Sequence, residues 1–496
     1  MAQSVPVETP QQNHVWYEEV SRYQWLALAI ASLGWVFDVF EGQIFVASTK
    51  EALGAILPEP DRTAEKVEFF VQLTYAAFLF GGAAGGIAFG MLSDRIGRTR
   101  TMILTILFYS LFTCLSAFAQ TWWQLAAMRF LVGLGVGGEW AVAAAFVAEV
   151  FPKSARARSL GIFHASSVLG TYLAIAAGIW IVNNPSLGWR WAFALGAAPA
   201  LLTLGIRFGL RDPESWRGAY QAASSGAGQR LGRFRELFGP GQWQSTVVGA
   251  GLATVGLATF WGIHVYGKEI LRRDREHLYL LQMVGNNPSH VPMSAWQYWS
   301  GMRSESVIDT DEETEEWLRE TAPRHIEFLL GAYAPQMKTW EMLGMLIVTT
   351  GGGLGLLSFG PLSEQIGRRP AFLLFQLGGL ASTLIVFGLP VGWTQWADPL
   401  QLLLLGGFGF LTLGMHAGFA IYFPELFPTR LRGTGSGFCF NIARVLAAPI
   451  LVINGLLQSE WHFSMEHARM ALSGLFLIGV VLLAFAPETK GRELPE

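Results

Sequence analysis

The chain has 496 residues, of which 52% are hydrophobic, 13% aromatic and only 14% charged. Soluble domains carry about a quarter charged residues, and one soluble core cannot absorb that shortfall, because chains of this length split into domains with polar surfaces of their own. A net charge of −3 excludes a basic nucleic-acid binder and the apolar content excludes a disordered chain, which leaves an all-α polytopic membrane protein.

Residues 1–24 are polar, with Glu18 and Glu19 just ahead of the first apolar run, and no basic stretch leads a short apolar one as in a cleavable leader. They are read as a cytoplasmic N-terminal tail. Apolar stretches of about 20 residues cross the hydrocarbon core as helices. Six such stretches fill an N-terminal half over 25–208, near 25–48, 70–91, 101–119, 123–150, 161–182 and 190–208. Six more fill a C-terminal half over 245–486, near 245–266, 341–362, 370–390, 399–423, 433–455 and 468–486. The 57 glycines suit close helix packing in lipid. Cys114 and Cys439 lie in apolar runs, so neither a disulfide nor a thiol-bound metal is expected.

Basic residues gather at one set of span ends: Arg95, Arg98 and Arg100; Lys153, Arg156 and Arg158; Arg211 to Arg235; Arg368 and Arg369; Arg430 and Arg432; Lys490 and Arg492. The positive-inside rule places these ends, both termini and a 209–244 linker in the cytoplasm of a multi-pass cell-membrane protein. The linker includes a loose-looking stretch from Ala222 to Gly228. An acidic outer insert at about 267–340 carries the run Asp309 to Glu316 and Trp296, Trp299 and Trp317. It is too long for a plain connector and reads as a small outer cap. Residues 487–496 form a cytoplasmic tail.

Two segments recur in order. Gly90-Met-Leu-Ser-Asp94-Arg95-Ile-Gly97-Arg98 returns as Gly360-Pro-Leu-Ser-Glu364-Gln365-Ile-Gly367-Arg368, and Glu149-Val-Phe-Pro152 with Arg156 returns as Glu425-Leu-Phe-Pro428 with Arg432. Paired repeats imply two six-helix halves, the architecture of an alternating-access carrier. Asp94 is placed to face a helix N-terminus, and Arg98 to pair with a carboxylate such as Glu149, so that the cluster latches the cytoplasmic helix ends. With Glu364 and Gln365 in place of aspartate and arginine, the second latch is expected to be weaker.

Charges inside the membrane are costly, about 2.5–3.5 kcal/mol each at a helix centre, and point to function. Asp38 and Glu41 share a helix face about 20 Å into the first span, and Glu139 and Arg444 lie about 16 Å into theirs. Two carboxylates in a low-dielectric site do not both ionise cheaply, so Asp38, Glu41 and Glu139 are the candidates for carrying a proton. An ion pair from Asp38 or Glu41 to Arg444 is the structural alternative. Arg444 offers a bidentate fork for a carboxylate, with Asn441 one turn away. Trp261, Trp140, Tyr75 and Phe37 are candidates for a cavity wall, with Trp261 and Tyr75 the ones expected against substrate. Arg129, nearer the outer end, is expected to snorkel in a structural role. His164, His264 and His416 read as packing residues. The glycine-rich fourth span lacks the strand and lysine of a phosphate-binding loop, and no catalytic motif appears; an enzyme is not expected.

Together with Arg129 through Gly133-Leu-Gly-Val-Gly-Gly138-Glu139, Pro213-Glu214-Ser215 and Pro487-Glu488-Thr489-Lys490-Gly491, these motifs resemble the major facilitator superfamily, in the branch holding sugar porters and organic-acid/proton symporters. Asp38 and Glu41 resemble the paired acids of aromatic-acid/proton symporters, with Glu41 in place of the commoner aspartate. The resemblance implies a proton-coupled symporter for a small organic substrate, an aromatic or sugar acid being favoured, with no cofactor beyond the coupling proton. It would work as a monomer in the bilayer, with gating at Gly90, Asp94, Arg95, Gly97, Arg98, Glu149, Arg156, Glu364, Arg368, Glu425 and Arg432. A neutral-sugar porter is the alternative, although span seven lacks the paired glutamines that such porters use. Proton-antiport efflux and a receptor using the outer insert are further readings.

Overall fold

The computed structural model describes residues 16–177, 188–226, 229–275, 334–389, 399–459, 461 and 463–496. Most of the outer insert, with its acidic run and three tryptophans, lies outside them, as do residues 1–15. Among the described residues every regular element is helical. The N-terminal half contains α1 (Arg22–Ile56), α2 (Ala64–Ile96), α3 (Arg98–Ser116), α4 (Trp122–Val150), α5 (Lys153–Ala165), α6 (Ser167–Ala177), α7 (Gly188–Ala194) and α8 (Leu202–Gly209). The short α9 (Glu214–Ser224) follows; the loose-looking stretch therefore begins inside a helix. The C-terminal half contains α10 (Trp243–Gly262), α11 (Ala334–Ile366), α12 (Arg368–Gly388), α13 (Pro399–Leu426), α14 (Arg432–Ser459), α15 (Met465–Leu472) and α16 (Leu475–Phe485).

Ten described segments are long and apolar enough to cross a membrane. The other two expected crossings differ from that template for separate reasons. The 190–208 crossing is broken, with a 3-10 stretch holding Pro199 between α7 and α8. The 433–455 crossing is the continuous helix α14, which carries Arg432, Asn441 and Arg444 among small residues. With these two, the described residues make the twelve-crossing, two-half arrangement of the major facilitator fold.

Several helices outrun their apolar stretch. α1 starts on a capping box, in which Ser21 accepts from the Gln24 N–H and the Gln24 side chain accepts from the Ser21 N–H. At the basic end α2 continues helical through Asp94 and Arg95 and stops only at Gly97, whose φ of 109° suits glycine. α11 stops in the same way at Gly367, φ 103°.

Glycine sets the helix packing. A Cβ on Gly81, Gly85 or Gly137 would run into the backbone of Phe130, Leu134 or Gly82, so α2 and α4 touch main chain to main chain. In the second half, Gly351, Gly355 and Gly409 bring α11 and α13 together likewise, against Gly406, Phe410 and Val348. The same device joins the halves: Gly90 and Gly437 hold α2 against α14, and Gly360 holds α11 against α5.

Candidate functional site

The densest ionic cluster closes the basic face between the halves. Arg98 donates bidentately to Glu149, from Nη2 at 2.9 Å and Nε at 3.3 Å, and from Nη1 to Asp94 at 2.5 Å. Arg432, from the other half, donates to the same Glu149 at 2.7 Å. Asp94 accepts from the Gly433 and Thr434 N–H groups at 3.0 and 2.9 Å and from the Thr434 hydroxyl at 2.6 Å, which caps the N-terminus of α14 with a charge from the opposite half. Two cations and two anions balance, and all four side chains are buried. Bidentate, charge-assisted bonds of this kind are strong and directional.

The repeated cluster is looser. Arg368 donates to Glu425 at 2.7 and 3.1 Å, but among the described residues no ion pair joins Arg156 to Glu425; Arg156 donates instead to the Ala148 carbonyl at 2.9 Å. Glu364 pairs with Arg158 of the other half at 2.9 Å rather than capping a helix as Asp94 does. Arg95 turns away to the linker and donates to the Gly232 carbonyl at 3.2 Å.

Two acidic residues outside the membrane cap the helices that follow the glycine corners. Asp212 accepts from the Thr99 N–H at 2.9 Å, and Glu488 accepts from the Arg368 and Arg369 N–H groups at 2.9 and 3.0 Å. Partial burial pushes the Glu488 carboxyl up, yet the N–H groups of Arg368, Lys490 and Arg369 outweigh it and hold it below the ordinary carboxylate range. Glu214, by contrast, has a side chain 94% exposed, so the capping acid of the Pro213 segment is the residue before the proline.

Deeper in the bundle the expected intramembrane charges separate into two sets. Glu41 receives Arg129 Nη1 at 2.5 Å and the Thr113 hydroxyl at 3.0 Å, and Arg129 also donates to Ser116 at 2.6 Å. Arg129 therefore does not snorkel: it is fully buried, between the rings of Phe45 and Phe193 at 5.1 and 4.8 Å. Asp38 is buried, and among the described residues neither of its oxygens has a well-formed hydrogen bond. The charged side chains around it are Glu139, Glu41 and Arg444. Glu139 accepts a hydrogen bond from the Thr105 hydroxyl, while its Oε1 has no partner and faces Gly34 on α1. Among the described residues no ion pair links Asp38 or Glu41 to Arg444.

Arg444 extends from α14 to Gly82 on α2, and among the described residues its Nη1 has no hydrogen-bonding partner. Its guanidinium lies 5.7 Å from the Phe440 ring, which stacks on Trp140 at 3.9 Å. Trp140 donates to His164 Nδ1 at 3.0 Å. Asn441 behaves differently from the anion ligand expected. Its amide nitrogen is spent on the Gly137 and Gly437 carbonyls, both at 2.9 Å, and only its oxygen is free; an amide oxygen accepts hydrogen bonds and repels a carboxylate. Tyr75 packs on Phe45 at 4.9 Å and Trp261 edge-on against Phe260 at 5.2 Å, so neither is seated on Arg444. His264 is bonded to Thr412 at 2.7 Å, consistent with packing.

The geometry thus brings Asp38, Glu139 and Arg444 together near the centre of the bundle. Sequence reading missed four polar side chains of α3: Thr105 and Thr113, which donate to Glu139 and Glu41, Ser116, which accepts from Arg129, and the buried Tyr109. Their spacing along one face of α3 was the available signal, but isolated hydroxyls in an apolar helix usually bond their own backbone.

Residues 39–283 match the model described as "Major Facilitator Superfamily", and residues 337–496 match the one described as "Sugar (and other) transporter". A protein of Cupriavidus pinatubonensis named "Probable 4-methylmuconolactone transporter" is 27% identical over 96% of this chain and 93% of its own length. The cis,cis-muconate transport protein of Acinetobacter baylyi is 25% identical over 85% of this chain and 88% of its own. Among solved structures, the proton:xylose symporter XylE matches with a TM-score of 0.63 at 17% identity, covering 95% of this chain and 98% of that one.

Proposed function

From the premise that the chain belongs to the major facilitator superfamily and is a transporter of small molecules across a membrane, we propose that its cargo is an organic anion carried in symport with a proton. The single observation that carries this reading is Arg444: a guanidinium at mid-membrane depth, beside a stacked aromatic pair, with a donor nitrogen, Nη1, that no described residue uses. Such a fork suits a carboxylate, and the Trp140–Phe440 stack suits a planar, unsaturated body. A relative named for cis,cis-muconate, a planar dicarboxylate, supports that substrate class.

Charge balance supplies the coupling. With the carrier empty, an ionised Asp38 would offset Arg444, with no hydrogen bond between them among the described residues. With an anion on Arg444, that offset is surplus, and protonation of Asp38 restores neutrality. Anion alone or proton alone leaves a net charge in a low-dielectric site, which is costly. Only the empty and the doubly loaded carrier cross cheaply. Glu139 stands behind Asp38 as the second proton-holding carboxylate, whereas Glu41 is committed to Arg129.

The positive-inside rule makes the basic face cytoplasmic, with both termini on that side and one chain as the working unit. The Asp94–Arg98–Glu149–Arg432 cluster then closes the cytoplasmic path and opens once per cycle, with Gly90, Gly97, Glu364, Arg368 and Glu425 in the same moving surface. Proton uptake measured in weakly buffered detergent solution on addition of a singly charged aromatic carboxylate, benzoate, tests the pairing. One proton bound per anion, lost in Asp38→Asn, is the expected result; anion binding with no proton change contradicts it.

A further inference from the structure

Tyr109 is completely buried on α3, and its hydroxyl has no hydrogen-bonding partner. The ring is held against α4 by Gly135, where a Cβ would lie 2.8 Å from the Tyr109 Cβ. One turn further along α4 is Glu139. One turn either side of Tyr109, Thr105 bonds Glu139 where it meets Gly34 and Thr113 bonds Glu41, which sets the phenol against Asp38, the residue between Gly34 and Glu41 on that face of α1, close to hydrogen-bonding reach. The other groups around this point are Glu41 from α1, Glu139 from α4 and Arg444 from α14. His164 of α5 packs on Trp35, one turn before Asp38. Of these, Glu41 is occupied by Arg129 and Thr113, and the bonded oxygen of Glu139 by Thr105.

Among the described residues Tyr109 thus presents a neutral hydroxyl, free of other partners, to Asp38. We propose that Tyr109 is the positioning residue for the coupling proton, an assignment that rests on the proton-symport reading. A phenol both donates and accepts: it gives its O–H to Asp38 when the carboxylate is ionised, and accepts from the carboxylic acid when Asp38 is protonated. The proton enters and leaves Asp38 while Tyr109 stays neutral throughout. Phenylalanine at this position would leave the ionised form without a donor in a site closed to water, so the carboxylic acid would be retained.

The test uses the full-length purified protein without substrate, titrated by infrared spectroscopy of protonated-carboxyl bands, with Asp38→Asn and Glu139→Gln to assign them. In Tyr109→Phe the Asp38 band is expected to persist to higher pH by at least one unit, a tenfold change in proton affinity, and to change frequency. Difluorotyrosine at position 109, a stronger donor of nearly the same shape, is expected to move the loss of the band to lower pH. A band unchanged in position and midpoint in both proteins would overturn the assignment. Because no substrate is present, that failure leaves anion symport standing, whereas absence of any titrating band removed by Asp38→Asn would overturn the coupling role of Asp38 itself.

Discussion

Asp94 of the N-terminal half caps the helix that begins at Arg432 in the C-terminal half, accepting from the N–H groups of Gly433 and Thr434 while it holds Arg98. One side chain thus ties the two halves to each other at the basic face. Removing one partner of a buried pair costs roughly 3–5 kcal/mol. Asp94→Ala is therefore expected to loosen the closure and lower transport at least tenfold. Maleimide labelling of a cysteine placed at the buried Ser93 position, in a background without Cys114 and Cys439, reads this directly. Labelling as slow as in the parent would contradict the closing role.

Glu149 receives two arginines, Arg98 and Arg432, whereas among the described residues Glu425 receives one, Arg368, with the Thr489 hydroxyl, and is slightly exposed. Glu149→Gln leaves two buried guanidinium groups facing one neutral amide. It is expected to lower the thermal unfolding midpoint more than Glu425→Gln, with a cost of roughly 3–5 kcal/mol for the first. Equal shifts would mean that the two clusters are equivalent, against the asymmetry of their contacts.

The backbone contacts of α2 with α4 and of α11 with α13 make Gly85 and Gly355 intolerant of any Cβ. Gly85→Ala and Gly355→Ala are expected to reduce the yield of monodisperse protein in size-exclusion chromatography sharply. Gly42→Ala and Gly54→Ala, where an added Cβ meets nothing within 4 Å, are expected to be harmless and to favour the helix by up to about 1 kcal/mol.

Glu488 links the tail to the start of α12. Its carboxyl titrates below the ordinary value of 4.5 in the folded protein, so its contribution is fully present above that value. It is lost as the pH falls through the depressed folded value. Limited proteolysis of the tail is expected to accelerate in the wild type as the pH falls below the ordinary carboxylate value. In Glu488→Gln the tail should be loosened already at neutral pH, with little further change on acidification. A wild-type tail indifferent to acid would refute the capping role.

The spans, the two-half repeat and the neighbours of Asp94 and Arg98 were legible in the sequence because each leaves a local mark. These marks are apolar length, a repeated nine-residue corner, and glycine where φ is positive. Helix ends were less legible, since hydropathy registers where lipid stops and α2 and α5 continue as helix through charged residues. The interior pairings were hidden for a different reason. Glu41 and Asp38 share a face of α1, yet they part company because Arg129 arrives from α4 beside one of them only. Asn441 keeps its depth but loses its expected role, because Gly137 leaves a carbonyl exposed to its amide. Such pairings depend on the rotation of neighbouring helices, which no single span encodes.

The most direct test of the central claim is uptake of labelled cis,cis-muconate and aromatic carboxylates into proteoliposomes under an imposed pH gradient. Accumulation driven by an acidic exterior, abolished in Arg444→Gln and converted to gradient-independent exchange in Asp38→Asn, is the result predicted. Uptake of a neutral hexose that is indifferent to Arg444→Gln, or carboxylate uptake indifferent to the gradient, would contradict anion–proton symport.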